Sequence, residues 1–337
     1  MTTGAVRPAV LVTRRIPSPA IERIVERCEL DYHDSPDPIA REELLGRVKG
    51  TLGVLVQSSE RVDEEFLAAG PELRVVSTFG VGYDHIDVPL CTSRGVLVGN
   101  TPEVLTEATA ELTWALILAA ARRLGEGERL IRSGESWHVW PLFMLGIGLN
   151  GKALGVVGFG RIGRAVARRA SVFGMRVLYH SRRRAPSEVE EALGAEYRDL
   201  DRLLNESDVV TLHVSLGPES RHLIDARRLA SMKPTGVLVN ACRGAVVDEA
   251  ALVEALRERR ILAAALDVFE REPQVHPGLL ELQNVVLTPH IGSATIEART
   301  AMALLAAENL IEGVEGRRPS CLVNPVAWEA LTPRASG

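Results

Sequence analysis

Three charged side chains late in the chain have the types and spacing for acid–base chemistry on a carbonyl compound. Arg243 lies in Asn240-Ala241-Cys242-Arg243-Gly244, and His290 lies in Thr288-Pro289-His290-Ile291-Gly292. Between them, Asp267-Val268-Phe269-Glu270-Arg271-Glu272-Pro273 offers an acid. Histidine titrates near neutrality, so His290 suits a proton donor to a carbonyl oxygen. A carboxylate beside it would favour the charged ring and fix its orientation. Glu270 and Glu272 compete for that role, and spacing alone leaves both open. The Arg243 guanidinium can hold a substrate carboxylate and polarise the neighbouring carbonyl. Together these groups suit hydride addition to a 2-oxo acid, in which carbon takes the hydride and oxygen the proton. The chemistry requires no metal, and the remaining histidines show no ligand spacing.

A second signal is Gly158-Phe159-Gly160-Arg161-Ile162-Gly163, which fits G-x-G-x-x-G. It follows an apolar run and opens a helical pattern, the context that gives this motif its meaning. The first glycine allows a tight turn, the second lets backbone approach a pyrophosphate, and the third lets helix and strand pack closely. The amides and dipole of the helix start favour an anion. The next strand ends His180-Ser181-Arg182-Arg183-Arg184, with no acid to bind ribose hydroxyls. Arginine there can bind a 2′-phosphate that a carboxylate would repel. NADP(H) is therefore the expected cofactor, with NAD(H) as the second choice.

These groups must be positioned by an α/β fold. Short apolar runs at residues 9–13, 29–33, 53–56 and 73–78 alternate with helical spacing at 19–28, 39–48 and 62–69. One long helix is predicted over 105–133, apolar nearly all round between Leu112 and Ala121 and hence buried. Residues 134–150 hold Trp137, Trp140, Phe143 and Met144 in a glycine-containing segment. That segment reads equally as a loop packed on its own domain or as an arm reaching a second subunit. A second series predicts six strands, at 153–158, 176–180, 209–214, 236–240, 263–268 and 285–288, followed by a helix over 293–315. Arg243, the acid and His290 would then emerge at carboxyl ends of strands in one sheet, where ligands bind in open α/β folds.

Bulk properties agree with a two-domain protein. The chain has 337 residues, 46% hydrophobic and 25% charged, with a formal net charge of -5 and no long single-sign run. Nucleic acid and membrane surfaces are not expected partners. Cys28, Cys91, Cys242 and Cys321 are scattered, which suggests reduced thiols. Residues 1–8 carry no apolar leader, and the most apolar helical stretch, 112–121, is shorter than the ~20 residues a bilayer needs, so a cytoplasmic location is expected.

In this set of motifs the chain resembles the D-isomer-specific 2-hydroxyacid dehydrogenase family, from about Leu11 to Pro325. Gly80-Val81-Gly82-Tyr83-Asp84-His85-Ile86-Asp87 belongs to the resemblance, with the glycine loop and the three late segments. The resemblance implies that Arg243, Glu272 and His290 are the catalytic positions, which selects Glu272 over Glu270. It implies that backbone at Val81 and Gly82 receives the substrate carboxylate alongside Arg243 and His290, and that Asp267 faces the nicotinamide carboxamide. The cofactor-binding set comprises residues 158–163 (Gly158, Phe159, Gly160, Arg161, Ile162, Gly163), Ser181, Arg182, Arg183, His213, Ala241, Cys242, Asp267 and Gly292. The implied fold is a discontinuous flavodoxin-like substrate domain, residues 1–101 and 293–325, around a Rossmann-type dinucleotide-binding domain, residues 102–292. Members are usually homodimers with their cofactor domains in contact, which would make residues 134–150 a dimerisation arm. Within the family, the chain is most similar to glyoxylate and hydroxypyruvate reductases. The alternatives are a reductase for a bulkier 2-oxo acid and a nucleotide-sensing regulatory protein.

Overall fold

A computed structural model describes residues 7–331. The chain divides into two units: residues up to Leu105 together with those from Ala294 onward, and Thr106–Ser293.

Among the described residues the first unit holds five strands: β1 (Ala9–Val12), β2 (Glu29–Tyr32), β3 (Gly53–Val56), β4 (Val75–Thr78) and β5 (Leu97–Gly99). All pairings are parallel, in the order β2-β1-β3-β4-β5, which is flavodoxin-like. β1 and β3 read as unbroken apolar runs, and every residue of β3 and β4 is buried, because helices cover both faces. One covering helix is Ile296–Val314, whose Ala306 carbonyl accepts from the Ser77 hydroxyl of β4 at 2.8 Å. Thr295 caps this helix through the Ala298 amide, which explains a start later than the predicted 293. Sequence periodicity does not predict β5 or the helix Val88–Ser93; the strand is three residues long and too brief to register as a period.

The second unit holds seven strands: β6 (Ala153–Val157), β7 (Arg176–His180), β8 (Ala195–Tyr197), β9 (Val209–Leu212), β10 (Val237–Asn240), β11 (Ala263–Leu266) and β12 (Val285–Leu287). They pair in parallel as β12-β11-β10-β9-β6-β7-β8, a Rossmann order extended by one strand. The sequence predicts only six. The extra one is β8, a short edge strand whose Ala-Glu-Tyr carries no apolar run. The order reverses between β6 and β9, the switch point at which dinucleotides bind in such sheets.

The single helix predicted over 105–133 is two, Thr106–Ala121 and Leu124–Ser133. The break has a clear cause. The Ala121 carbonyl accepts from the Ile147 amide at 2.9 Å, and Arg123 takes a left-handed conformation (φ 53°) stabilised by its pair with Glu126. A continuing helix would have needed that carbonyl for itself. The first helix is buried along Ala110, Thr113, Trp114 and Ile117, as its composition implies. Residues 134–150 form turns without regular structure; Trp137 stacks on Phe143, while Val139 and Leu142 stay 81% and 64% exposed.

Candidate active site

β10, β11 and β12 are neighbours, and their carboxyl ends lead into Arg243, Glu272 and His290 respectively. His290 Nδ1 and Glu272 Oε2 are 2.7 Å apart. The histidine side chain is 41% exposed, which leaves its other nitrogen accessible. The other glutamate oxygen, Oε1, accepts from the Phe269 amide at 2.9 Å. Burial pulls the Glu272 carboxyl up. The His290 hydrogen bond and charge, the Phe269 amide and the Arg243 charge outweigh it and hold the group below its ordinary value. Glu272 is therefore a carboxylate at neutral pH.

The competing acid, Glu270, points elsewhere. Its Oε1 accepts from the Glu249 amide at 3.0 Å, and its Oε2 lies 3.1 Å from His222 Nε2. Neither Glu249 nor His222 stands out in the sequence: Glu249 follows the Arg243 segment by five residues but reads as the first turn of an ordinary helix, and His222 lies outside all three motifs.

His290 has φ 53°, an uncommon backbone conformation that must be held. Asp267 holds it. The Asp267 carbonyl accepts from the His290 amide at 2.8 Å. Its carboxylate accepts from the Thr288 hydroxyl (2.6 Å) and from the Ile291 (2.9 Å) and Gly292 (2.8 Å) amides. Asp267 is 1% exposed, so these bonds are made in a buried setting where each counts for more. Cys242 is neutral, its thiol pushed up to about 11 by burial, and its sulfur donates to Asn240 Oδ1 at 3.1 Å. Asn240 also donates to the Arg243 carbonyl at 2.9 Å, fixing the turn after β10.

The glycine loop joins β6 to the helix Arg161–Ala170. Gly158 has φ 96°, and a Cβ there would lie 2.4 Å from the His213 carbonyl oxygen; a Cβ at Gly163 would lie 2.1 Å from the Gly158 carbonyl oxygen. Only glycine fits these two contacts. Gly160, in contrast, faces open space, with nothing within 4 Å of where a Cβ would sit. It precedes the helix without any side-chain cap, so the first helical amides point at that space. The loop thus fits a pyrophosphate. Phe159 stacks on Tyr179 at 4.0 Å, turned into the core, while Arg161 and Ile162 begin the helix.

At the end of β7, Arg184 is exposed but bound to Glu190 at 2.8 and 2.9 Å, and Arg182 and Arg183 are also exposed beside Ser181. The Ser181 hydroxyl donates to the Arg183 carbonyl at 2.5 Å, and Arg182 lies 3.7 Å from Glu219. In the first unit, Val81 and Gly82 lie on the loop after β4. Asn100 donates to the Val81 carbonyl at 2.8 Å and pins that loop. Among the described residues neither the Val81 nor the Gly82 amide has an acceptor. No group of three or more His, Cys, Asp or Glu among the described residues is placed to hold a metal, and no helix among them is long and apolar enough to cross a membrane.

His213, next to Gly158, bonds Thr211 Oγ1 at 2.9 Å, while its Nδ1 is buried without a partner among the described residues. Burial pushes this imidazole down to about 3. An unfolded chain binds a proton here from the ordinary value of 6.5 downward, and the folded chain refuses it. Stability should therefore fall as pH drops from 6.5 towards 3, by up to about 1.4 kcal/mol per pH unit. Thermal unfolding followed across this range should decline less steeply in His213→Gln; identical slopes would contradict the assignment.

A doubly wound sheet with a glycine loop at its switch point, and an acid-paired histidine at the neighbouring strand ends, defines a nicotinamide-dependent oxidoreductase. Residues 114–292 match the family described as D-isomer specific 2-hydroxyacid dehydrogenase, NAD binding domain. The chain is 51% identical to a glyoxylate reductase of Thermococcus onnurineus over 337 residues, covering 98% of this chain and 99% of the relative. It is 50% identical to a glyoxylate reductase of Pyrococcus furiosus over 324 residues, 94% of this chain and 96% of the relative. A solved NADPH-dependent glyoxylate/hydroxypyruvate reductase from Sinorhizobium meliloti, in complex with NADP and malonate, superposes with a TM-score of 0.82 at 34% identity, covering 95% of this chain and 98% of that one. The chain belongs to the D-isomer-specific 2-hydroxyacid dehydrogenase family. It is an NAD(P)-dependent oxidoreductase acting on a CH–OH group, similar to glyoxylate reductases.

Proposed function

We propose that the protein reduces glyoxylate and hydroxypyruvate to the corresponding 2-hydroxy acids, with NADPH as its preferred reductant. The observation that carries this reading is the 2.7 Å His290–Glu272 pair at the strand ends, within the field of Arg243. The bound nicotinamide supplies the hydride. His290 donates the proton to the carbonyl oxygen as charge develops there, and Glu272 steadies the charged ring and keeps its Nδ1 engaged. Arg243 holds the substrate carboxylate and polarises the carbonyl; in the first unit, the Val81 and Gly82 amides, which have no acceptor among the described residues, are suited to a carboxylate.

The glycine loop, residues 158–163, would hold the pyrophosphate, with His213, Ala241, Cys242, Asp267 and Gly292 lining the rest of the cofactor site. Ser181, Arg182 and Arg183 would hold a 2′-phosphate; the exposure of both arginines and the capture of Arg184 by Glu190 support this. A similar protein solved in complex with NADP supports the same reading. Replacing Arg182 and Arg183 together by Ala should raise the Kd of NADPH roughly 10- to 100-fold, at about 1–3 kcal/mol for lost charge-assisted bonds, and leave that of NADH nearly unchanged. Fluorescence titration with both dinucleotides checks this, and an equal loss for both would remove the phosphate clamp. The exposed apolar side chains of residues 134–150 support a homodimer in which this segment meets a second copy.

The ratio of kcat/KM for glyoxylate over phenylpyruvate tests the substrate. We expect it to exceed one; preference for the aromatic acid would assign the protein to bulkier 2-oxo acids.

A further inference from the structure

Glu249 and Glu270 lie outside the proposed catalytic trio, yet the structure ties them to it. Glu249 opens the helix Glu249–Arg257, but Asp248 already caps that helix through the Ala251 amide. The Glu249 carboxylate is therefore spare for helix capping, and it is only 6% exposed. Its oxygen accepts from the Glu270 amide at 2.6 Å, and the Glu270 carboxylate accepts from the Glu249 amide at 3.0 Å. These reciprocal bonds join two segments. One runs back through Gly244–Val246 to Arg243. The other contains Phe269, whose amide donates to Glu272 Oε1.

The segments touch at Gly244, where a Cβ would lie 1.8 Å from the Phe269 carbonyl carbon. Gly244, the neighbour of Arg243, thus packs against the Phe269–Glu270 backbone too closely to admit any side chain. A separate cavity of about 380 Å³ borders this region, lined by His222, Glu249, Glu270 and His276 and by none of Arg243, Glu272 and His290. Both reciprocal bonds run to backbone amides, so the two glutamates meet these loops through the main chain.

We propose that Glu249 is a positioning residue: with Glu270 it clamps the loop after β11, so that the Phe269 amide delivers Glu272 to His290. The inference rests on the catalytic reading above. Breaking the clamp lets Glu272 drift while the distant glycine loop keeps its geometry.

The test is a double-mutant cycle on the full-length protein. Glu249→Ala should lower kcat by roughly 10- to 100-fold, the scale of a displacement near 1 Å, with the Kd of NADPH unchanged. Glu249→Gln keeps an oxygen acceptor in place and should restore kcat to within about threefold. In a Glu272→Gln background, Glu249→Ala should cost less than about threefold, because its effect runs through Glu272. The same loss in both backgrounds, or a loss of thermal stability with kcat intact, would overturn the clamp. If Glu249→Ala does not fold, Glu270→Ala, which removes the reciprocal bond, takes its place in the same cycle with the same expectations. Full activity of Glu272→Gln itself would instead count against the catalytic reading.

Discussion

His290→Ala is expected to lower kcat for glyoxylate reduction by roughly 10²- to 10⁴-fold, the usual contribution of a positioned general acid. The Kd of NADPH should stay within about twofold, because the glycine loop and the arginines after β7 lie elsewhere on the sheet. The size of the effect follows from the geometry. His290 is held in a left-handed turn by four bonds to Asp267, and its ring is oriented by Glu272 at 2.7 Å. Without the ring, the proton must come from water, and the pre-set orientation has nothing to present. Added imidazole should restore part of the rate in the variant. Single-turnover kinetics with saturating NADPH separates this loss from any change in binding; a variant as fast as the parent would show that another group donates the proton.

Arg243→Ala should lower kcat/KM by roughly 10³-fold, or about 4 kcal/mol, through both parameters. KM rises because the substrate carboxylate loses its cation, and kcat falls because the carbonyl is no longer polarised. Arg243 is also one of the charges that hold the Glu272 carboxyl below its ordinary value against the pull of burial. Arg243→Lys should recover only part of the loss, since an ammonium cannot reproduce the planar two-point contact. Steady-state kinetics of both variants checks the prediction, and full recovery by lysine would reduce the role of Arg243 to simple charge.

Much of this was legible in the sequence, for physical reasons that differ by element. Strands buried on both faces, such as β6 and β10, write themselves as apolar runs. Gly158 and Gly163 were legible because steric contact admits no other residue. The choice between Glu270 and Glu272 was not legible from spacing, since two residues apart on one loop both can reach a histidine. The structure gives each glutamate its own: His222 for Glu270, His290 for Glu272. The break at Arg122–Arg123 was hidden because its cause, the Ile147 amide, lies more than twenty residues along the chain. β8 escapes notice because an edge strand of three residues needs little apolar surface. The Glu249–Glu270 clamp was invisible for the same reason as the break: reciprocal side-chain-to-backbone bonds leave no periodic trace.

His290, Glu272 and Arg243 are proposed to make this protein a 2-oxo acid reductase. The most direct measurement is the loss of reduced-nicotinamide absorbance when the purified protein is given NADPH and either glyoxylate or hydroxypyruvate, with NADH run in parallel. Turnover of both acids is expected, faster with NADPH, with almost none in His290→Ala. Protein that binds NADPH tightly yet reduces no 2-oxo acid would contradict it and point instead to a nucleotide-sensing role.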